Sequence, residues 1–312
     1  MISVVVPFLN EEESIPELHR QIVNALRPLK EEFEIIFVDD GSTDKTFEAI
    51  SALNPIRGFR FRRNAGQTAA FGCGIAHARG DIVVTLDGDL ENAPEDIPAL
   101  ISKLREGYDV VAGWRKKRWS DQFATRRIPS IIANKLISAV TRVRVNDHGC
   151  NLRAYRRDVF DGVVFRGEMH RMLAAYLGMR GARVAEIPVS YTPRKFGKSK
   201  YGLSRIFRVL LDVLSFHFFR EYASRPMHFF GYAGFFSFLF GAIAFGGALY
   251  LRIFQGVHFN RTPLPELVAL FVIVGVQFVL MGLLAELLVR TRSSAGVEYD
   301  IKEDIERHER KI

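Results

Sequence analysis

The chain of 312 residues is poor in cysteine, with only Cys73 and Cys150. Two thiols build no disulfide framework, and nothing around them has zinc-ligand spacing. The first residues hold no basic stretch ahead of an apolar one. Ile2-Ser3-Val4-Val5-Val6 reads directly as a strand, which predicts no signal peptide and a reduced, cytoplasm-facing catalytic part. No glycine-rich dinucleotide fingerprint follows that strand, and no phosphate-binding loop of the Gly-x-x-x-x-Gly-Lys-Ser/Thr type is present. Gly72-Cys73-Gly74 follows a helical pattern, so these glycines are expected to serve helix packing. Internal repeats and low-complexity linkers are also lacking.

Charge is missing from two long stretches. Met227 to Leu251 contains no Asp, Glu, Lys or Arg, and neither does Leu267 to Ala285. As helices they would extend about 37 Å, enough to cross a hydrocarbon core with some tilt, and about 28 Å, close to the minimum for spanning. A short link with Arg252, Arg261, Pro263 and Pro265 joins them, which predicts a transmembrane hairpin over 226–290. Arg220, Arg225, Arg290 and Arg292 at the outer ends outnumber the basic residues of the link, so both termini are expected to face the cytoplasm, including a tail over 291–312. The membrane is expected to be a plasma (or ER-type) membrane. Gly231, Gly234, Gly241, Gly246 and Gly247 suit close helix packing, within one protomer or in a homo-oligomer.

The formal net charge of +8 is unevenly placed. Between Tyr191 and Arg225 eight basic residues face two acids, an excess of +6 just before the first uncharged stretch. Residues 203–222 carry an amphipathic pattern within this segment, and a helix over 201–225 is expected to lie in the membrane interface. Aromatic residues sit in the apolar runs rather than among the basic ones, which argues against nucleic acid as a partner.

The first 113 residues alternate. Strands are predicted over 2–7, 33–38, 58–62, 81–86 and 109–113, and helices over 14–27, 43–52, 67–78 and 95–105. Such alternation predicts an α/β fold, a mostly parallel sheet with helices on both faces. Ser14, and Ser42-Thr43-Asp44, offer helix caps. Further on, helices are predicted over 128–141 and 168–179, and a strand over 182–188.

Acids cluster where strands end. Ile82-Val83-Val84-Thr85-Leu86 runs into Asp87-Gly88-Asp89; the first strand runs into Asn10-Glu11-Glu12, and the second into Asp39-Asp40-Gly41-Ser42. Ligands of open α/β sheets bind at the carboxyl ends of the strands. Two carboxylates this close stay ionised most readily around a cation, and oxygen-only ligands suit Mg²⁺ or Mn²⁺ shared with a substrate phosphate. The pattern predicts a metal-held nucleotide.

Pro7 to Glu12, Val38 to Asp44, Arg63-Asn64-Ala65-Gly66 and Asp87-Gly88-Asp89 resemble, in order and spacing, the successive motifs of glycosyltransferase family 2. The resemblance covers roughly residues 1–225. Asp147 to Arg153 and Arg194 to Lys200, followed by the hairpin, are similar to the polyprenyl-phosphate glycosyltransferases of the dolichol-phosphate mannose synthase type. The resemblance implies a GT-A type, Rossmann-like catalytic domain over 1–200. It implies inverting transfer of a hexose from a nucleotide sugar (GDP-mannose or UDP-glucose type) to a polyprenyl phosphate, dolichyl or undecaprenyl.

It also implies roles for particular residues. Pro7, Leu9, Asn10, Glu11, Asp39, Asp40 and Gly66 would form the donor-nucleotide site. Asp87 and Asp89 would hold the diphosphate through the metal, with Glu91, where relatives often carry Gln, as a further ligand. Arg115, Arg126, Arg127 and Ser130 would contact the acceptor phosphate, and Asp87, Asp89, Arg115 and Arg127 are counted as catalytic. Arg194, Lys198 and Lys200 would form a basic loop near the diphosphate. Some relatives place Asp where this chain has Asn151. An amide cannot act as a base, so no dedicated general base is expected, or only weak assistance from Asp89 or Asp147. His148, His170 and Cys150 are expected to be structural.

Two other readings compete. A processive polysaccharide synthase usually carries Gln-x-x-Arg-Trp; Arg115-Lys116-Lys117-Arg118-Trp119 imitates only its ending and comes too early. A non-catalytic nucleotide-sugar-binding subunit would have no need of both Asp87 and Asp89.

Overall fold

A computed structural model describes residues 1–116, 128–165, 167–192, 226–291 and 301–307. They fall into two units, a sheet with its helices and a helical hairpin. The sheet unit runs β1 (Ile2–Phe8), α1 (Ile15–Leu26), β2 (Phe33–Asp39), α2 (Thr46–Ser51), β3 (Ile56–Phe61), α3 (Gln67–His77) and β4 (Ile82–Thr85). It continues with α4 (Ile97–Arg105), β5 (Val110–Trp114), α5 (Ile128–Thr141), β6 (Arg153–Arg156), α6 (Met169–Met179) and β7 (Val184–Pro188). The strand order is β7-β5-β6-β4-β1-β2-β3-β8, where β8 is Ile301–Arg307.

The sheet forms because its strands are apolar on both faces, as the centre of a parallel sheet requires. In β1, Val4, Val6 and Phe8 enter one core with Ile15, Leu18, Ile22 and Leu26 of α1 and Leu100 and Leu104 of α4. Val5 points the other way and packs with Phe71 and Cys73 of α3 and Leu173 and Leu177 of α6. β2 alternates likewise, with Ile35 and Phe37 on the first face and Ile36 and Val38 on the second. Gly72 and Gly74 let α3 lie close, as expected: a Cβ on Gly74 would collide with Val5, and one on Gly72 would meet Phe165 at 3.1 Å.

Two strands depart from the sequence reading. β6 runs antiparallel between β4 and β5. Its sequence, Arg-Ala-Tyr-Arg, hides a buried strand because Arg153 is itself buried. β8 pairs antiparallel with β3. It lies in the segment expected to be a tail, and five of its seven residues, Ile-Lys-Glu-Asp-Ile-Glu-Arg, are charged, so no apolar run marks it. The expected interfacial helix over 201–225 lies outside the described residues.

The second unit is a pair of helices, α7 (Pro226–Phe254) and α8 (Leu264–Thr291), both long and apolar enough to cross a membrane. Gly234, Ser237, Gly241, Ala244 and Ala248 line the buried seam of α7. The Ser237 hydroxyl donates to the Phe271 carbonyl of α8 at 2.8 Å. Gly275 accepts the Phe238 ring where a Cβ would sit 2.8 Å from it. Outside the seam, Tyr232, Phe235, Phe240, Ile243, Leu280 and Leu284 are exposed, which suits lipid rather than water.

Candidate active site

Register brings the acidic strand ends together. Phe8 of β1 lies opposite Asp39 of β2, and Val5 lies opposite Thr85 of β4, so the segments after β1, β2 and β4 leave the sheet at one edge. These segments are tied to one another. Asn10, at φ 55°, donates its N–H to Ser42 Oγ at 2.9 Å and accepts the Thr43 N–H at 2.9 Å. Glu11 donates its N–H to Thr46 Oγ1 at 3.0 Å, and Glu12 accepts the Lys45 N–H at 2.9 Å. Ser14 does not cap α1; its hydroxyl lies 2.7 Å from the Gly88 carbonyl and 3.0 Å from that of Glu11. A Cβ on Gly88 would come within 2.6 Å of the Phe8 ring, so only glycine fits between the two aspartates.

Asp39 is fully buried, accepts the Ser42 N–H at 2.8 Å and pairs with Arg60 at 3.3 Å. Asp40 accepts the N–H groups of Ala65 (2.7 Å) and Gly66 (3.0 Å) at the start of α3. Burial raises the pKa of both, against these hydrogen bonds. Asp40 and Gly66, expected in the nucleotide site, thus engage each other, with a carboxylate satisfying a helix N-terminus. Pro7 is buried beside Val38, whereas Leu9 is exposed at the edge.

Asp87 is the centre of the site. Its Oδ1 accepts two side-chain amides, Gln67 Nε2 at 2.7 Å and Asn151 Nδ2 at 2.8 Å. Burial, reinforced by the charge of Asp89, pushes its pKa up to about 6. Asn151 is anchored in turn, its carbonyl accepting the Thr85 hydroxyl at 2.8 Å. Asp89 accepts the Glu91 N–H at 3.1 Å.

Arg115, expected at the acceptor phosphate, forms a buried ion pair with Asp147. It is 3% exposed and grips Asp147 with two nitrogens, Nε at 2.8 Å and NH2 at 3.1 Å. Burial opposes its charge, but Asp147, Cys150 and Asp87 more than compensate and raise its pKa. The same contact engages both oxygens of Asp147. Glu91 Oε2 lies 3.9 Å from Arg115 NH1. Among the described residues, no group of three His, Cys, Asp or Glu side chains is gathered to hold a metal ion. The side chains of Arg126, Arg127, Ser130, Arg194, Lys198 and Lys200 lie outside the described residues.

Behind the aspartates, Arg153 donates to the carbonyls of His148 (2.7 Å), His170 (2.9 Å) and Arg171 (3.1 Å). Burial, then neighbouring cations, lower His148 to about 4 and His170 to about 3. Burial pushes the Cys150 thiol up to about 11. All three, expected to be structural, are buried. Sequence reasoning missed Gln67, whose signal was its place as the first residue of the helix after Arg63-Asn64-Ala65-Gly66.

A mostly parallel sheet with paired aspartates at its carboxyl edge, and no glycine loop for phosphates, defines a nucleotide-sugar transferase of the GT-A type. The chain belongs to glycosyltransferase family 2, whose family model, described as Glycosyl transferase family 2, matches residues 3–164. It is 39% identical over 315 residues to dodecaprenyl-phosphate galacturonate synthase of Rhizobium johnstonii, covering 97% of this chain and 92% of that protein. Among solved structures it is similar to glucosyl-3-phosphoglycerate synthase of Mycobacterium tuberculosis in complex with Mn²⁺, uridine diphosphate and phosphoglyceric acid. That match has a TM-score of 0.54 at 23% identity over 70% of this chain and 78% of the other. The same enzyme with Mg²⁺ and uridine diphosphate matches with a TM-score of 0.52 at 23% identity, over 70% and 79%. These structural likenesses show the fold.

Proposed function

We propose that this protein is a membrane-bound glycosyltransferase that moves a sugar from a nucleotide sugar to a polyprenyl phosphate. The observation that carries the reading is the match over 97% of the chain, hairpin included, to a relative named for a polyprenyl-phosphate product. That relative's name specifies a galacturonate, so the donor is proposed to be a nucleotide hexose or hexuronate.

In the reaction, a phosphate oxygen of the lipid attacks the anomeric carbon. The bond from that carbon to the nucleoside diphosphate breaks, with inversion. A phosphate monoester is mostly a dianion at pH 7, its second pKa being about 6, so it needs positioning more than deprotonation. No dedicated base is required, in keeping with an amide at Asn151 and an engaged Asp147. Asp39 would meet the nucleoside. Arg126, Arg127 and Ser130 would position the acceptor phosphate, and Arg194, Lys198 and Lys200 the diphosphate. Arg115 would hold the Asp147 loop against the aspartates.

Asp87 and Asp89 fit a divalent cation, Mg²⁺ or Mn²⁺. Both are hard oxygen ligands at the same strand end, and burial together with the neighbouring charge of Asp89 raises the Asp87 pKa, a cost that a cation between them would offset. With no third described carboxylate gathered there, the donor diphosphate and water would complete the shell. The cation would supply charge stabilisation for the departing diphosphate.

The catalytic unit is proposed to lie on the cytoplasmic side, with both flanks of the hairpin. β1–β7 precede the hairpin and β8 follows it, yet all belong to one sheet, which supports both flanks lying on one side. Gly231 and Gly246, with no atom within 4 Å of an added Cβ, leave room for a second protomer. The test is to incubate the purified protein with undecaprenyl or dolichyl phosphate and a panel of labelled GDP- and UDP-sugars. Label in the lipid fraction, abolished by Asp89→Ala, is expected; no lipid-linked label with any donor under Mg²⁺ or Mn²⁺ would sink the reading.

A further inference from the structure

Asp87 is held by two neutral side-chain amides. Gln67 comes from the first turn of α3, and Asn151 from the segment before β6, 84 positions later in the chain. Both aim a neutral N–H at the same oxygen, Oδ1, at 2.7 and 2.8 Å. Neither amide is loose. Gln67 adjoins Thr68, whose hydroxyl lies 2.7 Å from His170 Nδ1, and the Asn151 backbone accepts the Thr85 hydroxyl at 2.8 Å. Arg153 braces the first of these supports, donating to the His170 carbonyl at 2.9 Å. Two donors on Oδ1 would limit rotation of the carboxylate and leave Oδ2 available to a cation. They also stabilise negative charge without adding a cation that would compete for the site.

We propose that Gln67 and Asn151 are positioning residues for cation binding, acting together through Asp87 Oδ1 to hold that carboxylate as a one-oxygen ligand. The assignment rests on the metal-held donor site proposed above. Their removal weakens the cation's hold without removing a ligand, so its consequence differs from loss of Asp87 itself.

The experiment titrates Mn²⁺ into the full-length protein in detergent, followed by electron paramagnetic resonance, with and without uridine diphosphate. Gln67→Met and Asn151→Leu are each expected to weaken Mn²⁺ binding about 10-fold or more, the size typical for groups that orient a metal ligand. Transfer activity of both variants is expected to recover with excess Mn²⁺, whereas that of Asp87→Asn does not. Gln67 ends at the site edge, so Gln67→Met decides the matter where Asn151→Leu fails to fold. Unchanged Mn²⁺ affinity in Gln67→Met, or lost activity that excess Mn²⁺ leaves lost, would overturn the proposal. A wild-type protein that binds no Mn²⁺ under either condition would instead overturn the metal-held reading itself.

Discussion

Asn151 donates its side-chain amide to Asp87 Oδ1 across 2.8 Å. An aspartate at this position would set a carboxylate against a carboxylate whose pKa is already pushed up to about 6 by burial and by Asp89. One of the pair would then take up a proton or turn away. Asn151→Asp is therefore expected to lower transfer at pH 7 rather than supply a missing base, by about 10-fold or more. Steady-state rates at saturating acceptor and varied Mn²⁺ check this. An activity gain over wild type would show that the reaction lacks, and wants, a base.

Arg115 and Asp147 form a buried pair with two short contacts, 2.8 and 3.1 Å. Such pairs often add little over an apolar substitute, yet breaking one side leaves a charge stranded. Arg115→Met is expected to destabilise the catalytic unit by about 3–5 kcal/mol. The double variant Arg115→Met with Asp147→Leu is expected to recover a substantial part of that loss. Chemical denaturation of the two variants and wild type measures it; equal losses in single and double variants would show that the Asp147 charge is not stranded.

His148 and His170 make stability depend on pH. Both are neutral and buried, with pKa values lowered to about 4 and about 3, while an unfolded chain titrates them at about 6.5. Above about pH 6.5 neither state binds the protons and their contribution is constant. Below it the unfolded chain takes up protons that the fold refuses, so stability falls as pH falls towards the folded values. The slope is about 1.4 kcal/mol per pH unit for each histidine. The melting temperature is expected to drop between pH 7 and pH 5, and to drop less in His170→Gln. Parallel curves for wild type and variant would show that His170 titrates in the folded protein as it does in the unfolded chain.

Much of this site is legible in the sequence, because its acids stand at the ends of apolar runs. Val4, Val5 and Val6 place Asn10 and Glu11 at an edge, and Val83 and Val84 do the same for Asp87. What the sequence conceals are groups acting through shape. Gln67 and Asn151 are ordinary polar residues until the fold brings them to one oxygen of Asp87. Arg115 reads as a free guanidinium by its neighbours Lys116 and Lys117, yet Asp147, 32 positions on, claims it. β6 and β8 escape detection because charged residues dominate them, and hydrophobic alternation registers only side chains that avoid water.

β8 offers the sharpest case of such hidden charge. Its register sets Glu303 opposite Arg60 and Glu306 opposite Arg57 on β3. Opposite charges directly across an antiparallel pair contribute roughly 0.2–1 kcal/mol each, and like charges cost a similar amount. Reversing both, with Glu303→Lys and Glu306→Lys, is thus expected to loosen β8 by about 1–3 kcal/mol. The β3 amides should then exchange faster with deuterium. Arg60 also pairs with Asp39 at 3.3 Å, so the loosening is expected to reach the nucleotide end of the site and raise the donor KM while kcat holds. Restoring the charge pattern with Arg57→Glu should recover part of the protection at that rung alone. If β3 exchange is the same in wild type and the doubly reversed variant, β8 does not hold this edge.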